Sequence, residues 1–122
     1  MTQRADGLGV DIIVFPELGL SSYAIDDLLM QDALLDAVVD GLQAIKSATA
    51  ELHPLLFVGA PLRHCGRLFN CALALDCGIL GVVSKTYLPN YRDYYEKRWF
   101  ASGGEIRQKC HHYRLRGEAV RR

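Results

Sequence analysis

Residues 10–18 read VDIIVFPEL, a short β-rich run that ends on a proline, a glutamate and a leucine. A nearly all-apolar run of this length is typical of a strand that is covered on both faces of a sheet. Pro16 stiffens the turn after the strand predicted over residues 10–15, because its ring fixes one backbone angle. The run therefore predicts a strand that delivers the carboxylate of Glu17 onto a rigid turn at a sheet edge.

A lysine follows a strand in the same way further along the chain. Residues 79–84 read ILGVVS, and Lys85 comes directly after them. Amide hydrolysis through a thiol needs a base, a nucleophile and positive charge where the oxyanion develops. Glu17 and Lys85 have the chemistry of the base and of the positive charge. Spacing alone leaves a simpler interpretation open, in which Glu17 caps a turn and Lys85 is a solvated charge.

A long amphipathic helix is predicted between about residues 24 and 52. Its apolar residues recur at intervals of three and four, and polar residues occupy the other faces, as in a helix packed on a flat surface. Pro54 ends the pattern, because proline disfavours helical geometry in the residue before it. The recurring apolar residues are Leu34, Val38, Leu42 and Ile45.

Three further apolar runs predict strands, and a polar turn over residues 63–67 separates the first two. Asp76-Cys77-Gly78 joins the last two as a hairpin. The order strand, helix, strand, hairpin is typical of an α/β layer with a mixed sheet. The three predicted strands span residues 55–61, 68–75 and 79–84.

Composition indicates one soluble globular domain. The chain has 122 residues, half of them hydrophobic, and a formal net charge of zero. Such a length supports one core but not two ordinary domains. The balanced charge gives no general polyanion-binding surface, and no apolar run approaches the roughly 20 residues of a membrane span. Residues 1–6 lack the apolar core of a signal peptide, so we expect a cytoplasmic protein that binds neither nucleic acid nor membrane.

The four cysteines are interpreted as reduced thiols, since nothing in the sequence indicates secretion. Cys71 and Cys77 lie in or beside the predicted hairpin, where core thiols are common, and Cys65 lies in the predicted polar turn. Residues 110–112, Cys-His-His, are three adjacent side chains that cannot by themselves enclose a tetrahedral metal. We therefore expect no metal site.

Residues 15–23, FPELGLSSY, resemble the glutamate motif of the carbon–nitrogen hydrolase (nitrilase) superfamily, and residues 85–91, KTYLPNY, resemble its lysine motif. Other stretches are similar to one branch, the glutaminase domain of glutamine-dependent NAD synthetases. The resemblance covers roughly residues 8–104 and implies part of a nitrilase-like α-β-β-α sandwich, one half with a mixed sheet. The supporting stretches are DLLMQD (27–32), VGAPLR (58–63) and YRDYYEKR (91–98).

The resemblance also implies roles for four side chains. Glu17 would be the general base, and Lys85 would stabilise the oxyanion formed from the glutamine side-chain amide. Glu96 would be a supporting carboxylate near the lysine, unless it forms a surface ion pair within Glu96-Lys97-Arg98. Tyr91 would be a wall of the glutamine pocket, unless its ring only packs within its loop.

The same resemblance implies partners. L-Glutamine is the expected substrate, and this domain needs no cofactor of its own. The released ammonia would travel to a separate synthetase domain, which uses ATP and magnesium to amidate nicotinic acid adenine dinucleotide to NAD. Proteins of this branch are expected to be homo-oligomers.

The chain departs from the family pattern after the lysine motif. The family's nucleophilic cysteine ends a further strand beyond that motif, whereas Cys110 follows no apolar run. No glycine-rich phosphate loop is present. We therefore expect residues 1–104 to be a partial glutaminase domain without activity of its own. Residues 105–122, with six Lys/Arg against two Glu, would be a basic, irregular tail that is disordered or non-homologous.

Two other functions remain open at this point. One is a nitrilase-like amidase that acts on another amide or nitrile, although residues 27–29 and 91–96 favour the glutaminase branch. The other is a non-catalytic interaction module, or pseudoenzyme, that pairs with intact subunits. An incomplete sheet exposes unpaired strand edges, and these favour association.

Overall fold

The computed structural model describes residues 1–106, 112–115 and 118–121, the last two segments by their backbone. Its main sheet has four strands: β1 (Ile12–Val14), β2 (Leu55–His64), β3 (Arg67–Asp76) and β4 (Gly78–Ser84). They lie side by side in chain order. β1 runs parallel to β2, and the other neighbours are antiparallel. This confirms the mixed sheet that the order of elements predicts.

The first hairpin is longer than its sequence indicates. β2 and β3 continue through the polar residues and pair His64 with Arg67, so only residues 65 and 66 form the turn. The predicted turn over residues 63–67 is wrong at both ends, because polar side chains on the exposed ends of a hairpin do not interrupt its backbone ladder. β3 and β4 form the second hairpin, as predicted, with a register shift between Ala74 and Leu75.

The helices are α1 (Thr2–Asp6), α2 (Asp32–Thr49) and α3 (Glu96–Trp99), with 3₁₀ turns over Asp26–Met30 and Gly103–Glu105. The continuous helix predicted from residue 24 is therefore wrong over its first turns, because Gln31 is extended and separates the 3₁₀ turn from α2. The one-turn helices α1 and α3 are too short to show an apolar period. None of the helices in the described part of the chain is long and apolar enough to cross a membrane.

Two apolar clusters form the core. The larger one lies between α2 and one face of the sheet, with Leu42, Leu56 and Leu73 fully buried. Removing such a leucine side chain typically costs about 2–5 kcal/mol of stability. The smaller cluster lies beneath the segment that follows β1 and consists of Leu18, Leu29, Leu35, Leu68 and Phe100.

The opposite face of the sheet is apolar and open among the described residues. Ile13 of β1 packs against the larger core cluster. Ile12 and Val14 are 56% and 72% exposed, and Val83 of β4 is 69% exposed. The prediction that β1 is covered on both faces is therefore wrong, because alternate residues of a strand point to opposite faces and α2 covers only one of them.

Part of the basic tail is a hairpin. β5 (His112–Leu115) pairs antiparallel with β6 (Glu118–Arg121). The sequence predicts an irregular tail, because these short charged segments lack the alternation of apolar residues by which a strand is recognised. Residues 107–111, 116, 117 and 122 lie outside the described part of the chain, and Cys110 and His111 are among them.

The turn that carries Glu17 packs directly on β2 at Gly59. A β-carbon on Gly59 would lie 2.5 Å from the nitrogen of Leu18 and 2.7 Å from the carbonyl oxygen of Pro16. The amide of Leu20 donates a hydrogen bond to the carbonyl of Gly59 at 3.1 Å. Because Gly59 has no side chain, the turn can pack directly on the sheet.

We expect Gly59→Ala to lower the free energy of unfolding by about 1–3 kcal/mol, because backbone atoms of the turn must move away from the new methyl group. Urea denaturation measures this loss. Gly78→Ala is the matched control, since its β-carbon would meet nothing closer than the carbonyl oxygen of Asp76 at 3.9 Å. A loss in the control as large as in Gly59→Ala would contradict the close-approach explanation.

Candidate active site

Glu17 and Lys85 meet at the edge of the sheet, although 68 positions separate them in the chain. The Nζ atom of Lys85 lies 2.6 Å from Oε1 of Glu17 and 2.9 Å from Oε1 of Glu96. Such charge-assisted hydrogen bonds are short and directional. The structure thus brings together three of the four candidate residues.

The backbone of Lys85 is fixed from two sides. Its amide donates to the carbonyl of Asn70 at 2.8 Å, which continues the pairing of β3 with β4 by one residue. Its carbonyl accepts a hydrogen bond from the amide of Gly103 at 2.9 Å. Its side chain is 28% exposed. Lys85 therefore projects from a rigid strand end, as its position after an apolar run predicts.

Glu96 is the buried member of the group. It is the first residue of α3, and its side chain is 1% exposed. Oε1 accepts hydrogen bonds from Lys85 and from the hydroxyl of Tyr23, each at 2.9 Å. Oε2 has no hydrogen-bond partner among the described residues. The alternative of a surface ion pair within Glu96-Lys97-Arg98 is therefore wrong, since Glu96 is buried against Lys85.

Two further residues complete the group, and the sequence does not identify either as a site residue. Asn70 of β3 is buried, and its Nδ2 donates to Oε1 of Glu17 at 2.6 Å. Its only sequence signal is that it is a polar residue inside an apolar run, where a buried amide needs a partner. Tyr23 ends the FPELGLSSY stretch, but nothing in the sequence shows that its hydroxyl reaches Glu96.

The contacts keep Glu17 and Lys85 charged. Burial alone raises the pKa of Glu17, but hydrogen bonds from Lys85 and Asn70 outweigh it and hold the pKa below its usual value. Burial alone lowers the pKa of Lys85, but Glu17 and Glu96 outweigh it and raise the pKa. Burial and then Glu96 raise the pKa of Tyr23, so its hydroxyl stays a neutral donor. The site thus holds a carboxylate and an ammonium side by side.

A cavity of about 310 Å³ contains the Glu17–Lys85 pair. Glu17, Asn70 and Lys85 line its polar end. Its walls are mostly apolar, and several belong to the open face of the sheet. Sites for small molecules typically combine apolar walls with a few convergent polar groups. The apolar wall residues include Val14, Phe57, Ala72 and Val83.

Tyr91 does not line that cavity. It lies on the loop after β4, is 64% exposed, and lines a separate cavity of about 970 Å³ together with Thr86 and Lys97. Its ring centroid is 5.8 Å from that of Tyr94. The structure therefore does not bring Tyr91 to the other three candidates, and packing within its loop describes its observed contacts.

Of the described thiols, Cys71 lines the cavity that contains Glu17 and Lys85. Cys71 is buried in the larger core cluster, with its sulfur 3.6 Å from the carbonyl oxygen of Phe69. Cys65 and Cys77 are exposed. A hydrogen bond to Asp76 raises the pKa of Cys77, which is the opposite of what activates a nucleophilic thiol. Over residues 1–106, no three His, Cys, Asp or Glu side chains cluster as a metal would require.

Comparison of sequences identifies relatives of the chain. The family model described as carbon–nitrogen hydrolase matches residues 1–115. The glutamine-dependent NAD(+) synthetase of Mycobacterium tuberculosis strain H37Rv is 53% identical over 96 residues. That match covers 78% of this chain but 14% of the synthetase. The chain thus corresponds to a small part of the length of this curated relative.

Comparison of structures identifies proteins of the same name. A glutamine-dependent NAD(+) synthetase from Cytophaga hutchinsonii superposes with a TM-score of 0.86 over 98% of this chain and 20% of that chain, at 23% identity. The enzyme from Acinetobacter baumannii gives a TM-score of 0.72 over 97% and 22%, at 27% identity. The fold is therefore that of one segment of these synthetases.

We expect Glu17→Gln to flatten the acid side of the stability curve. The pKa of Glu17 in the folded chain lies below the ordinary value of 4.5. Its contribution to stability is therefore present above about pH 4.5 and is lost as the pH falls through the lowered pKa. Glutamine cannot ionise, so the free energy of unfolding falls less on acidification. The side chain is 46% exposed, and solvent screening limits the difference to about 1 kcal/mol or less.

Urea denaturation at a series of pH values from about 6 to 3 checks this expectation. Glu51→Gln is the matched control, because it removes the same charge from an exposed position after α2. In the control, the free energy of unfolding should fall on acidification as it does in the parent chain. If the free energy of unfolding of Glu17→Gln falls in the same way, the contacts of Glu17 with Lys85 and Asn70 do not stabilise the fold.

Proposed function

Because the chain belongs to the carbon–nitrogen hydrolase family, we propose that Glu17, Lys85 and Glu96 are the base and oxyanion part of a glutamine amide hydrolase site. The observation that carries this proposal is the contact of the Lys85 ammonium with both carboxylates. Similarity to glutamine-dependent NAD(+) synthetases supports glutamine as the amide. Asn70 and Tyr23 orient the two carboxylates in this scheme.

The chemistry requires a thiol next to Glu17. Glu17 takes the thiol proton, the sulfur bonds to the side-chain amide carbon of glutamine, and the carbonyl oxygen becomes an oxyanion beside the Lys85 ammonium. The carbon–nitrogen bond then breaks, and the proton on Glu17 passes to the leaving ammonia. Water attacks the thioester in the same way and releases glutamate. One oxyanion donor of this kind typically contributes about 10²–10³ in rate.

The resemblance implies a nucleophilic cysteine beyond the lysine motif, whereas Cys71 lies in β3 with its sulfur near the carbonyl oxygen of Phe69, and the Cys77 thiol donates to Asp76. We therefore propose that the 122-residue chain does not hydrolyse glutamine by itself, since a missing nucleophile removes several powers of ten in rate. In a complete enzyme, the ammonia would pass to a synthetase domain that uses ATP and magnesium to amidate nicotinic acid adenine dinucleotide to NAD. Such an enzyme would be a cytoplasmic homo-oligomer.

The purified chain should therefore release no ammonia from glutamine above the background rate, as measured with a coupled ammonia assay. Robust release that disappears in Glu17→Ala and Lys85→Ala would overturn the proposed inactivity and would support the assigned residues.

A chimera tests the roles directly. The matching part of this chain replaces the corresponding 96 residues of the Mycobacterium tuberculosis synthetase. Ammonia release by the chimera should fall about 10²–10⁴-fold in Glu17→Gln, which removes the base, and about 10²–10³-fold in Lys85→Met. Lys97→Met is the matched control, because Lys97 is an exposed lysine of α3, and it should change the rate less than about twofold. A Glu17→Gln chimera that keeps the parent rate would refute the assigned base.

The open sheet face favours a second function of a different class, a non-catalytic module that pairs with an intact homologue. Ile12, Val14 and Val83 expose apolar side chains there. β1 is an edge strand of the four-stranded sheet, whereas β4, at the other edge, contacts β6 of the tail hairpin. Exposed edges and apolar faces favour association. Under this function, size-exclusion chromatography should show the chain eluting with the homologue. Elution as a separate monomer would count against it.

A further inference from the structure

Helix α3 is one turn long, yet it positions the buried carboxylate of the site. It spans four residues and begins with Glu96. So short a helix has no stability of its own, because the first turn fixes several residues for a single hydrogen bond. The distance of 2.9 Å between Glu96 and Lys85 therefore depends on whatever fixes α3 from outside.

The carboxylate of Asp27 contacts α3 on its solvent-exposed side. Arg98 donates to both of its oxygens, from Nε to Oδ1 and from Nη2 to Oδ2, each at 2.8 Å. The indole Nε1 of Trp99 donates to Oδ1 at 2.9 Å. The paired contact from Arg98, with the second donor beside it, fixes orientation as well as distance. The hydrogen bond from Arg98, followed by that from Trp99, lowers the pKa of Asp27 to about 2.

The contact joins α3 to the segment that carries Glu17. Asp27 lies in the 3₁₀ turn over Asp26–Met30, and the next buried residue, Leu29, packs in the same core cluster as Phe100, which follows α3. The same segment reaches Glu96 through the hydroxyl of Tyr23. Two residues of one segment thus hold α3, Tyr23 at the buried carboxylate and Asp27 at the exposed end.

We propose that Asp27 is a positioning residue for Lys85: by holding Arg98 and Trp99 it fixes α3, and thereby the carboxylate of Glu96 against the Lys85 ammonium. The catalytic meaning of this role rests on the proposed hydrolase function, but the coupling between Asp27 and Lys85 is a property of the fold. Asp27 and Arg98 are about two thirds exposed, and exposed ion pairs contribute little to global stability. Losing the contact should therefore change the reactivity of the Lys85 amine more than it changes the free energy of unfolding.

The reactivity of the Lys85 amine tests this coupling in the full chain. Trace acetic anhydride at pH 9 acetylates unprotonated amines, and peptide mass spectrometry measures each lysine separately. In Asp27→Asn, a displaced Glu96 no longer raises the pKa of Lys85, so more of the amine is unprotonated. Acetylation of Lys85 should rise about threefold or more relative to Lys46 of α2 in the same molecule.

Asp26→Asn is the matched control for charge. It removes the same charge one position away, and asparagine tolerates the positive φ of 49° at this position. Its Lys85 acetylation should stay at the parent value. Arg98→Lys is a second variant that keeps the charge but cannot form the two-pronged contact, and it should raise acetylation as Asp27→Asn does.

A double variant separates positioning through Glu96 from any other effect. If Asp27 acts through Glu96, Asp27→Asn should add nothing to the rise seen in Glu96→Gln alone. The proposal would be overturned if the two substitutions raise Lys85 acetylation additively. It would also be overturned if Asp27→Asn and Arg98→Lys leave Lys85 acetylation at the value of Asp26→Asn, or if acetylation of Lys46 rises as much as that of Lys85. None of these outcomes bears on the proposed hydrolase function. Conversely, an inactive chimera would count against that function without changing the expected acetylation of Lys85.

Discussion

The ammonium of Lys85 between two carboxylates is the interaction on which this structure depends. Glu96 is almost fully buried, and burying a carboxylate away from water is costly unless a cation and hydrogen-bond donors compensate it. Lys85 supplies the cation, while Tyr23 and Asn70 supply donors to the two carboxylates. Because Glu17, Lys85 and Glu96 come from three separate parts of the chain, their meeting ties the turn after β1, the end of β4 and α3 to one point.

Backbone close packing makes that meeting possible. Gly59 lets the turn carrying Glu17 lie on β2. Gly103 plays the same part for the lysine, since a β-carbon there would lie 2.5 Å from the carbonyl oxygen of Ser84, the residue before Lys85. A side chain at either glycine would push one charged group away from the other. The ion pair therefore depends on two positions that carry no charge.

The sequence predicts the sheet and the charged residues better than it predicts the contacts around them. Alternating and helical periods report burial, so β2, β4 and the middle of α2 follow from them. The same periods say nothing about α3, which is one turn long, or about Asn70, whose partner is 53 positions away. Glu96 was found only through its resemblance to a family motif. Tyr91 as a wall of the glutamine pocket stays a prediction, and the structure places this residue in another cavity than Glu17 and Lys85, because motif order does not fix the direction of a loop.

The described residues fix the positions of the charges but leave them partly hydrated. Glu17 is 46% exposed and Lys85 28%, and their cavity opens on the face where Val14 and Val83 are exposed. An ion pair stabilises a developing oxyanion most strongly where water is excluded, since the effective dielectric constant is then low. A surface that covered this face would therefore strengthen the electrostatics of the site without moving either charge. Under the proposed function, such a cover would add to what a thiol beside Glu17 supplies.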